Sequence, residues 1–285
     1  KFIEEAIEVI SSWKSYSPTP LIKLNKLDKE LKLKNIYYKD EDKRFDLKSF
    51  KALGGAFAVY KIASEKKNIT VSTATAGNHG RSVAWGAQRL GLECKIFISE
   101  NVSESRAAAM RDLGADVIRV KGNYDNSLKE CIDQSNKNKW EIVQDVSWDG
   151  YKEVPKLIMA GYTIMIKEIL DEIDSNSITH VFLQAGVGGM AAAMIAGFAK
   201  LSKNVPKFIV IEPENADCVF KSIQNNKPTS IDIKKETVMG GMSCGDVSSI
   251  AWEILKNSTN YCMTIPDNAI STAVALLAES RFSDE

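Results

Sequence analysis

Three segments combine residue types that can do chemistry. In Ser49-Phe50-Lys51-Ala52-Leu53-Gly54-Gly55-Ala56, a lysine sits among apolar and small residues at the expected start of a helix. Burial and the positive end of a helix dipole both favour its uncharged amine. Such an amine can form a Schiff base or act as a general base; the alternative is a salt-bridged or solvent-reaching lysine. Thr73-Ala74-Thr75-Ala76-Gly77-Asn78-His79-Gly80 lies between a strand and a helix and suits a small carboxylate, because free N–H groups of a helix start favour an anion. An ordinary capped helix start, with His79 hydrogen-bonded nearby, is the plainer reading. Ala185-Gly186-Val187-Gly188-Gly189-Met190-Ala191 also joins strand to helix. Its glycines let a phosphate approach the backbone with no Lys or Arg in the segment. It equally fits a tight packing turn. It also fits a dinucleotide fingerprint, Gly186-x-Gly188-x-x-Ala191 with Glu212 ending the next strand, which would make the chain an NAD-dependent oxidoreductase.

The elements that must hold these segments alternate between strand and helix. Strands are expected at Thr70 to Thr73, Cys94 to Ile98, Asp116 to Val120, Glu141 to Gln144, His180 to Gln184 and Lys207 to Ile211. Helices are expected at Ser103 to Leu113, up to about Asn138, from Leu157 to Ile173, from Gly189 to Lys200 and from Asn268 to Glu279. This alternation means βαβ units and parallel sheet. The fold class is α/β, with two open, mostly parallel units. A smaller unit, 67–158, is inserted in a larger one made of 1–66 and 159–285, with Val154-Pro155-Lys156 as punctuation. The stretch Gln224 to Ser249 lacks periodicity and reads as a functional loop.

Together, in this order, the three segments resemble the fold-type-II pyridoxal-phosphate-dependent enzymes, the tryptophan-synthase-β and threonine-dehydratase superfamily. Within it the chain is most similar to the diaminopropionate ammonia-lyases. Further segments carrying that likeness are Tyr16-Ser17-Pro18-Thr19-Pro20-Leu21, Val143-Gln144-Asp145-Val146-Ser147-Trp148 and Met239-Gly240-Gly241-Met242-Ser243-Cys244-Gly245. The resemblance implies a pyridoxal 5'-phosphate site in the cleft between the two units. Lys51 would carry the cofactor and serve as base. Asn78 would bond its ring hydroxyl, and Gly186, Val187, Gly188, Gly189 and Met190 would cradle its phosphate. The loop Thr75, Ala76, Gly77, Asn78 and His79 would take the substrate carboxylate. Asp145 would face a substrate amine as a second catalytic group. The implied reaction is α,β-elimination of ammonia from 2,3-diaminopropionate, giving pyruvate.

Two features depart from the family pattern. The position before Gly77-Asn78-His79 is usually acidic and serves the D-isomer; here it is Ala76, which leaves Lys51 as the one base and implies L-selectivity. The change also moves the loop towards that of threonine and serine dehydratases, the alternative activity. The resemblance places the partner of the cofactor's pyridine nitrogen in a later segment, so the expectation is a chain that continues past Glu285 and starts before Lys1.

Composition narrows the field. The chain has 285 residues with 37 basic and 37 acidic side chains, which gives no electrostatic reason to expect nucleic acid or an anionic membrane as partner. No apolar run reaches the length of a membrane span. Five cysteines without a C-x-x-C spacing argue against a zinc site and for a reducing cytoplasm, and two histidines exclude a His-rich metal centre. A cytoplasmic homodimer acting on a small amino acid, with no metal, is the expectation.

Overall fold

The computed structural model describes residues 1–75 and 77–278. They form two compact units, one of Lys1–Ser17 with Arg44–Ile164 and the other of Pro18–Lys43 with the described residues from Met165 onwards. Among the described residues no helix is long and apolar enough to cross a membrane.

In chain order the elements are α1 (Phe2–Ser11), β1 (Leu21–Lys23), α2 (Asn25–Leu31), β2 (Tyr37–Lys39), α3 (Lys51–Glu65), β3 (Thr70–Ala74), α4 (Asn78–Leu90), β4 (Glu93–Ser99), α5 (Glu104–Arg111) and β5 (Asp116–Val120). They continue with α6 (Tyr124–Asn138), β6 (Glu141–Ile142), α7 (Glu153–Tyr162), α8 (Ile164–Glu172), β7 (His180–Gln184), α9 (Gly189–Leu201), β8 (Lys207–Pro213), α10 (Cys218–Asn225), α11 (Ser249–Ser258), β9 (Tyr261–Ile265) and α12 (Asp267–Ala278).

The first unit is built on a four-stranded parallel sheet in the order β5-β4-β3-β6. Its central strand β4 is apolar on both faces, with Ile96, Phe97 and Ile98 fully buried, as covered parallel sheets require. The pairing Val71↔Glu141 and Ser72↔Ile142 sets β6 beside β3. The loops that follow these two strands therefore emerge side by side at the carboxyl ends, where ligands of open α/β sheets bind.

Helix α3 is buried along its whole first half, from Ala52 to Val59. It has no room for large side chains at two crossings. A Cβ on Gly54 would lie 2.5 Å from the Ile158 carbonyl oxygen, and one on Gly161 of α7 would lie 2.6 Å from the Leu53 carbonyl oxygen. On its α4 side, a Cβ on Gly86 would lie 2.8 Å from the Ala56 Cα. The Gly54-Gly55 pair thus serves helix–helix contact at backbone distance.

The second unit holds a three-stranded parallel sheet, β7-β8-β9, with Phe208 and Val210 of β8 buried at its centre. The short antiparallel pair β1–β2 belongs to the same unit. There Glu168 of α8, 1% exposed, pairs with Lys39 at 2.7 Å and accepts from the Thr19 backbone N–H.

Two sequence expectations change. The single helix expected from Leu157 to Ile173 is two, α7 and α8, divided at Thr163, whose hydroxyl donates back to the Ala160 carbonyl. Val154-Pro155-Lys156, read as punctuation ahead of a helix from Leu157, already lies in the first turn of α7, where proline's missing N–H costs nothing. Glu279, expected to end the last helix, lies outside the described residues.

Candidate active site

Lys51 is the first residue of α3, and its backbone N–H donates to the Ser49 hydroxyl at 3.2 Å. Its carbonyl accepts from the Ser82 hydroxyl of α4 at 2.6 Å. The amine lies 5.7 Å from the Phe50 ring centre and 6.0 Å from that of Tyr162 on α7. These contacts hold the stem in an apolar wall. The head group is salt-bridged, the alternative that the sequence left open: Nζ lies 2.5 Å from Oδ2 of Asp145 in the loop after β6. The apolar setting and the helix dipole favour a neutral amine, whereas a carboxylate at this distance favours the ammonium.

Asp145 is itself held tightly. Gln144, 1% exposed, accepts from the Thr73 hydroxyl and the Ala74 N–H and donates to the Ala74 carbonyl and the Tyr124 hydroxyl. The Gln144 backbone N–H donates to the Tyr151 hydroxyl, which donates in turn to the Ile142 carbonyl. This clamp ties the end of β3 to the end of β6 and fixes the starting points of both loops. A glutamine closing the otherwise apolar run Ile142-Val143-Gln144 is the sequence signal for it. Burial would raise the Asp145 carboxyl, but His79 and Lys51, each able to carry positive charge, outweigh burial and hold it well below the usual carboxylate range.

The loop after β3 brings Thr75, Gly77, Asn78 and His79 to the start of α4. The Thr75 hydroxyl accepts from the Gly77 N–H at 3.3 Å, and α4 has no side-chain cap on its first turn. Asn78 is exposed, whereas His79 is 3% exposed, with Nε2 at 2.8 Å from the Val143 carbonyl oxygen. Its Nδ1 lies 3.8 Å from Asp145 Oδ2. Burial, with Lys51 adding to it, lowers the imidazole from its ordinary value, while Asp145 and the Val143 carbonyl oppose the shift. Lys51, His79 and Asp145 therefore converge from three elements. Ala76 lies outside the described residues.

In the second unit, Gly186 to Met190 form the turn from β7 into α9. Gly188 has φ +87°, and a Cβ there would come 2.7 Å from Leu255 Cδ1, so this position requires glycine. A Cβ on Gly186 would come 3.0 Å from Cys244 Sγ and 3.1 Å from the Gly241 carbonyl oxygen. The Val187 carbonyl accepts from Ser248 N–H, which pins the turn from behind. No side chain caps α9, so its first N–H groups remain available to an anion.

Glu212 is the next-to-last residue of β8, fully buried, and accepts from the Val219 and Phe220 backbone N–H groups at 2.9 and 2.6 Å. A dinucleotide site needs this carboxylate open to a ribose, so the NAD reading loses its acidic partner. Burial pushes Glu212 up to about 7 against the pull of the two N–H donors. Because this lies above the ordinary 4.5, its contribution to stability is complete below about 4.5 and is lost as pH rises through about 7. Glu212→Gln is expected to remove that loss. Urea midpoints at pH 5 and pH 8 should show wild type losing ground relative to the variant at the higher pH.

The pyridoxal-phosphate dependent enzyme family matches residues 13–283. The chain belongs to that family. Diaminopropionate ammonia-lyase of Escherichia coli (strain K12) is 33% identical over 94% of this chain and 73% of its own length. Biosynthetic L-threonine dehydratase of Haemophilus influenzae is 28% identical over 75% of this chain and 39% of its own. The crystal structure of the Escherichia coli ammonia-lyase in complex with D-serine superposes with a TM-score of 0.90 at 32% identity, over 98% of this chain and 75% of that one. The same enzyme with an aminoacrylate-PLP azomethine reaction intermediate gives 0.89 at 34% identity, over 97% and 74%. The cofactor of the family is pyridoxal phosphate, and this chain's groups fit it: an amine for the aldehyde, and for the phosphate an uncapped helix start preceded by Gly186 and Gly188, where a side chain would crowd its neighbours.

Proposed function

We propose that the protein eliminates ammonia from 2,3-diaminopropionate, with water then giving pyruvate and a second ammonia. The Lys51–Asp145 pair carries the reading: an amine in an apolar wall beside a half-buried carboxylate suits a cationic amino acid. The identity to diaminopropionate ammonia-lyase over 94% of the chain supports it. Bound pyridoxal phosphate supplies the electron sink that makes the substrate α-proton acidic. Lys51 holds the cofactor and, once displaced, takes that α-proton on Nζ. Asn78 orients the ring hydroxyl, and the N–H groups of Gly186, Val187, Gly188, Gly189 and Met190 take the phosphate. Thr75, Ala76, Gly77, Asn78 and His79 provide the carboxylate loop, and Asp145 binds the β-ammonium so that it departs as ammonia.

A second reading, a threonine or serine dehydratase, is favoured by Ala76 and by the L-threonine dehydratase relatives. Ammonia and pyruvate from diaminopropionate, set against keto acid from threonine and serine, separate the two. The first reading expects at least tenfold higher kcat/KM on the diamino acid. Equal or reversed values reject it.

Alanine at 76 cannot accept a proton, so one base works on one face of the substrate. Consumption of racemic diaminopropionate is therefore expected to stop at half, with the D-isomer left behind on a chiral column. The same reading places a homodimer in the cytoplasm, in keeping with five cysteines that form no disulfide. Light scattering on the purified protein checks the dimer.

A further inference from the structure

A lysine that must react with an aldehyde has to lose its proton, yet Lys51 is paired with a carboxylate that stabilises the charged form. The geometry around Asp145 offers a destination for that proton. His79 donates from Nε2 to the Val143 carbonyl, since a carbonyl can only accept, so in the neutral ring Nδ1 carries the lone pair. That Nδ1 is buried and finds no hydrogen-bond partner among the described residues. It points towards Asp145 Oδ2 at 3.8 Å, so two proton acceptors face each other. The same Oδ2 accepts from Lys51 Nζ. Two bases thus flank one carboxylate.

We propose that Lys51 and His79 share a single proton across Asp145, with His79 acting as a positioning residue that takes the proton whenever Lys51 must be neutral. The step moves one proton and no other atom. An N–H bond of Lys51 breaks as Asp145 receives the proton, and Asp145 passes a proton to Nδ1 of His79. The carboxylate is an anion before and after, and the positive charge has moved from the amine to the imidazole. The Asp145–His79 gap has to close by roughly 1 Å to reach hydrogen-bond length, a movement within the range of one carboxylate rotation.

The surroundings enforce the competition. Two cations beside one largely enclosed anion leave an uncompensated charge, so one of them gives up its proton. Lys51 from α3 and Asp145 from the loop after β6 are the charged groups that face His79. Tyr162 of α7 and Tyr151 of the turn before α7 also face Asp145, and burial raises both phenols, so they stay neutral. The inference rests on Lys51 being the reactive amine, but its test needs neither cofactor nor turnover.

The chain has two histidines, His79 and the exposed His180, so 15N-histidine labelling of the full chain gives two ring systems, assigned by His79→Gln. In wild type, His79 is expected neutral, with Nε2 protonated, from pH 6 to pH 8. In Lys51→Met, and in Lys51→Gln should the first variant fold poorly, its titration midpoint is expected to rise by about one pH unit or more. In Asp145→Asn the ring is expected to stay neutral throughout. An imidazolium at pH 8 in wild type, or a His79 ring that titrates identically with and without Lys51, overturns the proposal. Failure of the elimination assay would leave the NMR result standing, so the two claims fail separately.

Discussion

Lys51→Met is expected to lower kcat on the best substrate by about 10³-fold, the range set by loss of a positioned general base. Lys51→Arg should do the same, although it keeps the positive charge beside Asp145, because a guanidinium is not deprotonated in proteins. The pair of variants separates two roles. If Lys51 served only the ion pair with Asp145, arginine would restore function and methionine would not. Both variants should fold, since the side chain is 25% exposed and its removal opens no deep cavity. Circular dichroism and the denaturant midpoint check that, and absorption spectra of the cofactor-loaded proteins should lose the borohydride-sensitive visible band in both.

Gly161→Ala is the substitution expected to cost most stability, about 3 kcal/mol, at the upper end of the range for overpacking. The added Cβ would lie 2.6 Å from the Leu53 carbonyl oxygen, 2.8 Å from the Gly54 Cα and 3.0 Å from the Leu53 carbonyl carbon. All three are backbone atoms, so no rotamer change relieves the contact and α3 and α7 must separate. Lys51 begins α3 and Tyr162 follows Gly161, so the wall behind the amine moves with them. Activity should therefore fall further than the unfolded fraction explains. Gly91→Asn is the control. Gly91 ends α4 at φ +65° with nothing within 4 Å of a Cβ, and asparagine tolerates that conformation, so its cost should stay under about 1 kcal/mol. Equal urea midpoints for the two variants would refute the close-crossing argument.

Much of the architecture was legible because strands and helices alternate at short spacing. The turns at 73–80 and 185–191 read correctly as strand-to-helix junctions from glycine content and flanking apolar runs. The apolar setting of Lys51 was legible from its neighbours, although the partner of its amine was not. Lys51 and Asp145 are 94 positions apart, and only the pairing of β6 beside β3 brings Asp145 next to the loop that holds His79. Local sequence does not encode strand order. The break at Thr163 was hidden because apolar residues continue across it, and β1 and β2, three residues each, are too short to show a period. The Gly54–Gly161 crossing is likewise a tertiary fact, since glycine in a helix reads as a weakness until the neighbouring backbone is seen.

The claim on which the rest depends is that the amine of residue 51 bonds the cofactor. Borohydride reduction of the cofactor-loaded protein, followed by proteolysis and mass spectrometry, tests it most directly. The account predicts a phosphopyridoxyl group on Lys51 at close to one per chain. A label on any other lysine, or a fully loaded protein that takes no label, would contradict it.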